Sequence, residues 1–479
     1  MMKNKRYSLL IVLLCFILSQ EGLADPRSHS NTLAIDANSN CSQQAENFFF
    51  LMPYSARTDP SEEGGTVEEV ANDGFTALGL NYQIDENYTL ELNEWLNTDL
   101  CLIYRLSPKR TVVNAFSPDY YGPIGTLIRI NTSNGQACLT QKLSNTQLNP
   151  PYLCEEIGGA SDEQMDIWIE QIEQLIIQAV NNPLVNSRII AWYIMPEEID
   201  LNVPREKELL QRLYQTVQSH DPLQRPAWLY NANNTSSEKL INIAAWVDAF
   251  SMGIYPNIAG NSHQRIQVRH ALTQMTSANA TLKHPKQILP VLEMFESTEY
   301  PINAEDTLLI PEFVRHDAYA AFANGADGLL IYSMGFRQGF DSYSTYYEAW
   351  SQVVHELTDL GLQAVIRNGL VLNEASIHVT NGEVNIPFNW GNFNETYPSL
   401  SIRDWNYNEK NYVLIVNSSE GSVSFILDNI ASGLYKDIFT KEIVDGTDGF
   451  AALSLPARGV IFLESKPAGT FPDSFTTVQ

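Results

Sequence analysis

Four acidic residues stand where they could do chemistry. The segment RIIAWYIMPEEID, residues 188 to 200, runs apolar and then breaks at Pro196 into Glu197 and Glu198. Further along, QILPVLEMFE carries Glu293 and, three residues later, Glu296. A carboxylate at the end of an apolar strand must reach water or meet a partner, because burying an unpaired charge is costly. Two carboxylates about 5–5.5 Å apart can hydrolyse a glycosidic bond with retention, one protonating the leaving oxygen while the other attacks the sugar carbon. The proton donor of such a pair must hold its proton near the working pH, which calls for a raised pKa. Plainer readings compete: a solvated turn for Glu197 and Glu198, and a structural ion pair with Arg105 or Arg337 for Glu293. Strand alternation lets only one of Glu293 and Glu296 point inward, so Glu296 is the substitute for Glu293, as Glu198 is for Glu197.

Elements able to position these acids can be read from the pattern. Apolar runs at 47–54, 75–82, 100–106, 189–195, 226–231, 247–255, 287–295 and 328–334 alternate with helical periodicity. Eight such runs predict a (β/α)8 barrel over 47–365, with catalytic groups at the C-terminal strand ends. The clearest helix is MDIWIEQIEQLIIQAVNN (165–182), whose Ile167, Ile169, Ile172, Leu175, Ile176 and Ala179 share one face. A stretch rich in Pro, Asn, Ser and Gly at about 107–160 reads as an insertion on the loop after the third strand. After residue 370 the periodicity becomes short and alternating, which predicts a separate all-β sandwich over 370–467 and a tail at 468–479. His263 and His270, seven apart, read as surface residues on a helix.

The first 24 residues have the basic start, apolar run and small residues of a secretory signal cut near Ala24, followed by a linker at 25–46. The chain has 29 Lys and Arg against 56 Asp and Glu, a formal net charge of −27, and loss of the signal makes it more acidic. That charge argues against nucleic acid and anionic lipid as partners, and the mature chain is expected to be secreted or periplasmic without a membrane span. Four cysteines remain, with three possible pairings; Cys138 with Cys154 is the local loop, which leaves Cys41 with Cys101. No CxxC spacing or neighbouring histidine suggests a metal, and the reading calls for no cofactor. Nucleophile-elbow, Walker, HExxH and Rossmann glycine patterns are missing from the sequence.

With the strands in place, AWYIMPEE resembles the fourth-strand element of clan A glycoside hydrolases, in which a tryptophan precedes the acid/base glutamate by five residues. VDAFSMGIYPN (247–257) is similar to the sixth strand of such barrels, LEMF (292–295) to the seventh, and FANGADGLLIYSMGFR (322–337) to the last helix and eighth strand. The resemblance implies Glu197 as acid/base, Glu293 as nucleophile and Tyr255 as a hydrogen-bond partner of that nucleophile. Aromatic and polar residues near strand ends, Tyr54, Tyr82, Tyr230, Asn231, Tyr255, Tyr332 and Arg337, are the candidates to bind sugar. Pro196 stands where the family has Asn or Asp, and this departure supports a second reading: an inactive barrel that binds glycans or a host partner.

Overall fold

The computed structural model describes residues 41, 48–53, 65–79, 95, 97–106, 113–114, 127–131, 137–141, 162–194, 204–232, 234–257, 263, 265–294, 296, 301–334 and 340–465. Parallel strands form the first part of the chain. They are β1 (Leu51–Pro53), β2 (Ala77–Gly79), β3 (Cys101–Leu106), β7 (Ile189–Ile194), β8 (Ala227–Trp228), the pair β9 (Ala249–Phe250) and β10 (Gly253–Ile254), the pair β11 (Gln287–Ile288) and β12 (Val291–Glu293), and β13 (Leu329–Tyr332). The sixth and seventh strands of the expected barrel are thus each interrupted once.

These strands close on themselves. β2, β3, β7 and β8 form one parallel run, and β10, β12, β13 and β1 form another. At one seam the Thr76 N–H donates to the Leu51 carbonyl at 3.0 Å; at the other, Gly253 N–H donates to the Asn231 carbonyl at 3.1 Å. The barrel is complete. Between its strands lie α1 (Val67–Asn72), α2 (Asp162–Asn181), α3 (Pro183–Asn186), α4 (Pro204–His220), α5 (Ser237–Ile243), α6 (Ile266–Thr281) and α7 (Ala304–Ala323). α8 (Tyr343–Asp359) follows β13, and α9 (Leu362–Asn368) follows α8. Helix α1 begins at a capping box in which Thr66 Oγ1 accepts from Glu69 N–H and the Glu69 carboxylate accepts from Thr66 N–H.

Alternation sorts the strand side chains into two cores. Phe48, Phe50, Met52, Cys101, Ile103, Tyr193, Trp228, Val291 and Leu330 fill the barrel interior. Phe49, Leu51, Leu102, Tyr104, Trp192, Ile194, Leu292 and Ile331 pack outward against the helices. Trp192 is fixed there: its Nε1–H donates to Asp221 at 2.8 Å, and the Arg225 guanidinium lies 5.0 Å from its ring.

At the N-terminal mouth, buried carboxylates pin neighbouring strands. Asp248 accepts from the Ala227 N–H at 3.0 Å, and Asp327 from the Ile288 N–H at 2.9 Å. Burial pushes both carboxyls up, and this end of a barrel serves stability rather than catalysis.

Within the stretch expected to be an insertion, β4 (Val113–Asn114), β5 (Leu127–Asn131) and β6 (Ala137–Gln141) make a small sheet, with Cys138 on β6. Cys41 lies beside Cys101, with Cα atoms 5.8 Å apart. Cys154, the expected leader at 1–24 and the expected tail at 468–479 lie outside the described residues. Among the described residues no helix is long and apolar enough to cross a membrane.

The C-terminal part is antiparallel. A six-stranded sheet runs β14 (Leu370–Val371), β18 (Leu400–Tyr407), β19 (Lys410–Asn417), β24 (Val460–Ser465), β21 (Gly433–Asp437), β22 (Ile443–Gly446). It faces a three-stranded sheet of β15 (Ser376–Asn381), β20 (Val423–Asp428) and β23 (Phe450–Leu455). Val413 and Ile415 of β19 enter the core between the sheets, while Leu414 and Val416 join the barrel's outer core. One sheet thus has two buried faces, which explains why β19 is apolar at successive positions.

A hairpin, β16 (Asn385–Trp390) and β17 (Phe393–Pro398), packs on α6. His270 is buried there, with its ring 4.4 Å from both Phe388 and Phe393. The expected surface position of His270 is therefore corrected: the hairpin covers that face of α6. His263, just before the helix, is partly exposed and bonds Asp306 at 2.8 Å.

Candidate active site

β12 places Glu293. Val291 points into the barrel, so Glu293, two residues on, points the same way at the C-terminal end of the strand. Its side chain is fully buried. The Asn257 N–H donates to both carboxylate oxygens, at 3.1 and 3.3 Å. Arg265, on the last residue before α6, brings Nη1 to 3.6 Å from Oε2. Among the described residues the cation beside Glu293 is Arg265, from a helix start, and not the Arg105 that the sequence offered. Arg337 lies outside the described residues.

Burial pushes the Glu293 carboxyl up to about 8, from the 4.5 of a free glutamate. Arg265 pulls it down, Asp317 pushes it up, and the Asn257 hydrogen bond pulls it down. Desolvation prevails because the cation that faces Glu293 among the described residues is shared: Arg265 also bonds Asp317, through Nε at 3.1 Å and through Nη2. Tyr346, on α8, is buried in the same field, and burial followed by the Glu293 charge holds its phenol well above the ordinary range.

Glu296 has a different task. Its Oε1 accepts from the Ile302 N–H at 3.2 Å, and its Oε2 from the backbone and hydroxyl of Ser342, the N-cap of α8. A carboxylate is stabilised at such a helix start. Of the two strand-seven acids, Glu293 faces the barrel interior and Glu296 anchors α8.

The other sequence-named residues in the described part gather at the same mouth. Tyr332 pairs in register with Glu293 across β12 and β13. Tyr255 and Tyr332 stand with ring centroids 5.8 Å apart. Tyr230 fits against Gly253, where an added Cβ would meet its hydroxyl at 2.1 Å and the Tyr255 ring at 2.8 Å. Asn231 donates to the Ser251 carbonyl at 3.2 Å. All four are buried, and they form a floor at that mouth. Among the described residues, Asn231 Oδ1, Ser251 Oγ and Ser333 Oγ have no hydrogen-bond partner. Glu197, Glu198, Tyr54 and Tyr82 lie outside the described residues, as does the carboxylate separation that would distinguish retention from inversion. No group of His, Cys, Asp and Glu among the described residues could hold a metal.

Sequence reasoning missed Arg265, Asp317, His316 and Tyr346. One signal was available: Arg315, His316 and Asp317 interrupt an otherwise apolar stretch of α7, from Phe313 to Ala323, and a buried polar or charged group needs a partner.

No family model matches the chain, and no curated protein matches its sequence. Solved structures do. An Anoxybacillus α-amylase aligns over 89% of this chain and 99% of its own, at TM-score 0.51 and 11% identity. The barrel and sheet domain share that fold. An α-amylase from Geobacillus thermoleovorans, solved with acarbose, aligns over 89% and 99% at TM-score 0.49 and 12% identity. A β-galactosidase from Bacillus circulans sp. alkalophilus aligns over 88% and 99% at TM-score 0.46 and 10% identity.

Proposed function

We propose that this protein is a glycoside hydrolase acting through two carboxylates, with Glu293 as nucleophile and Glu197 as general acid/base. The observation that carries the proposal is the environment of Glu293. It is an interior carboxylate at the C-terminal end of a barrel strand, faced by two donors, the Asn257 N–H and Arg265. The donors on both oxygens stabilise the ionised form that attacks, but burial outweighs them and raises the carboxyl to about 8, so the nucleophile is ionised above that value, where it is poorly solvated and reactive.

In the proposed reaction a Glu293 oxygen bonds the anomeric carbon as the bond to the leaving oxygen breaks, and Glu197 gives that oxygen a proton. Water, deprotonated by Glu197, then releases the sugar and restores both groups. Tyr230, Tyr255 and Tyr332 would floor the sugar site, with Asn231 and Ser251 offering polar atoms for hydroxyls. Glu198 and Glu296 are the substitutes, and the Ser342 contacts of Glu296 favour Glu293 over it. Tyr54, Tyr82 and Arg337 complete the proposed carbohydrate contacts.

The barrel is proposed to span 47–365, and the sandwich 370–467. The mature protein is proposed to be exported after cleavage near Ala24, with Cys41 and Cys101 oxidised; their Cα separation of 5.8 Å supports the bridge.

The test is to trap the covalent intermediate. Incubation with fluorinated glycosyl donors, followed by proteolysis and fragmentation of the labelled peptide, should place one sugar on Glu293. Label on Glu296 instead would move the nucleophile. The tight packing of the tyrosine floor and Pro196 favour a second reading, a glycan-binding barrel without turnover; it predicts saturable binding of oligosaccharides and no label on any peptide.

A further inference from the structure

Arg265 does not act alone. Asp317 Oδ1, which accepts from Arg265 Nε, lies 2.8 Å from His316 Nδ1. His316 Nε2 lies 2.9 Å from the hydroxyl of Ser418. Ser418 belongs to the sheet domain, one residue past β19, and its N–H donates to the Ser399 carbonyl at 2.8 Å. A single line of contacts thus runs from the sandwich through α7 to the barrel interior.

The proton positions along this line follow from the partners. Asp317, bonded to a guanidinium, is an acceptor, so His316 Nδ1 carries the hydrogen. Burial lowers the His316 pKa, which leaves the ring neutral and Nε2 free to accept the Ser418 O–H. The groups Ser, His and Asp are those of a hydrolytic triad, yet Ser418 is 3% exposed and His316 wholly buried. A hydroxyl so enclosed meets no substrate, so the line transmits position rather than attacks.

A second brace joins the same parts. The Phe313 ring lies 4.5 Å from the Arg265 guanidinium and 5.3 Å from that of Arg458, a sheet-domain residue that also pairs with Glu312 at 3.1 Å. Arg265 is thereby held from the sheet domain along two paths, one polar and one through an aromatic ring.

We infer that Arg265 is the positioning residue of Glu293, and that its own place is set by the sheet domain through Asp317, His316 and Ser418. The inference rests on Glu293 being the site carboxylate. It gives the sandwich a task beyond covering the barrel: it fixes how much of the guanidinium's charge reaches Glu293. Among the described residues, the charged and titratable groups facing Glu293 are Arg265 before α6, Asp317 on α7 and Tyr346 on α8.

The experiment reads the ionisation of Glu293 without a substrate. Protein carrying glutamate labelled with 13C at the carboxyl is titrated by NMR, and the Glu293 resonance is identified by its loss in Glu293→Gln. Arg265→Gln should raise the titration midpoint by about one unit or more, a tenfold gain in proton affinity. Asp317→Asn, which frees the guanidinium for Glu293, should lower it. Ser418→Ala, one hydroxyl removed in the other domain, should shift the midpoint with the melting temperature nearly kept.

If Arg265→Gln does not fold, Arg265→Lys replaces it, because an ammonium keeps the charge but cannot hold two carboxylates with one planar fork. A midpoint unchanged by the folded Arg265 variant, or unchanged by Ser418→Ala, overturns the inference. Since no turnover is measured, a protein that hydrolyses nothing still passes or fails this test.

Discussion

Arg265 stands 3.6 Å from Glu293 while Asp317 grips the same guanidinium through two of its nitrogens. One cation between two buried carboxylates leaves the trio with an excess negative charge whenever Glu293 ionises. The structure resolves this by holding the Glu293 proton. The folded-state value of about 8 lies above the 4.5 of a free glutamate, so the folded state binds the proton more tightly than the unfolded chain. The sign follows: Glu293 costs the fold nothing below about pH 4.5, and the cost grows as pH rises towards 8, at roughly 1.4 kcal/mol per unit. Glu293→Gln should therefore melt higher than the native chain at pH 8 and close to it at pH 5. Thermal melts at the two pH values check this, and equal differences at both would contradict it.

Catalysis should carry the mark of the same group. A nucleophile must be ionised, so kcat/KM should rise with pH along a limb centred near 8, the value of Glu293. The limb belongs to the free enzyme, and Arg265→Lys should displace it. A rate that instead falls through pH 8 would make Glu293 the proton donor and exchange the proposed roles.

Gly253 holds open the space that Tyr230 occupies. An added Cβ would come within 2.9 Å of ring atoms from both Tyr230 and Tyr255, neither of which can bend away at the tip. Gly253→Ala should cost about 1–3 kcal/mol of stability, as overpacked cores do. It should also weaken any glycan bound above the tyrosine floor. Denaturant unfolding and a binding titration read the two effects.

Asp221 and Arg225 form a buried pair, both at 0% side-chain exposure, that holds Trp192 on the outside of β7. Burial pushes the Asp221 carboxyl up, but its hydrogen bond and charge contact with Arg225 outweigh this and hold the pKa below the usual carboxylate range. Removing one partner strands the other charge in the core. Asp221→Ala should therefore cost about 3–5 kcal/mol. Because the folded pKa is lowered, the pair's contribution is fully present above the ordinary carboxylate value and is lost as pH falls below it through the folded pKa. A variant as stable as the native chain would show the pair to be dispensable.

The fold was legible because barrel strands announce themselves twice, as apolar runs and by the helical period between them. QILPVLEMF reads as one strand, yet the structure interrupts it between β11 and β12 without moving Glu293 from the C-terminal end. Glu293 itself was legible from its place in that run. Its partners were not. Arg265 precedes α6 and Asp317 lies within α7, so their meeting depends on how two helices pack against the barrel, and no spacing in the chain records that. His270 differs from expectation for the same reason: a histidine on a helix suggests the surface, and only the fold reveals that β16 and β17 cover that face. Asn417, which begins a glycosylation-type tripeptide, is likewise buried and donates to the Pro456 carbonyl at 2.7 Å. Side-chain partners between distant elements are set by tertiary packing, which local pattern does not encode.

The most direct measurement is hydrolysis of a broad panel of oligosaccharides and aryl glycosides by the purified mature chain, with Glu197→Gln and Glu293→Gln beside it. Turnover of at least one glycoside is expected, reduced by about 10²-fold or more in each variant, the scale expected when a general acid/base or a nucleophile is removed. No turnover on any glycoside, or turnover that survives both substitutions, would contradict the proposed function.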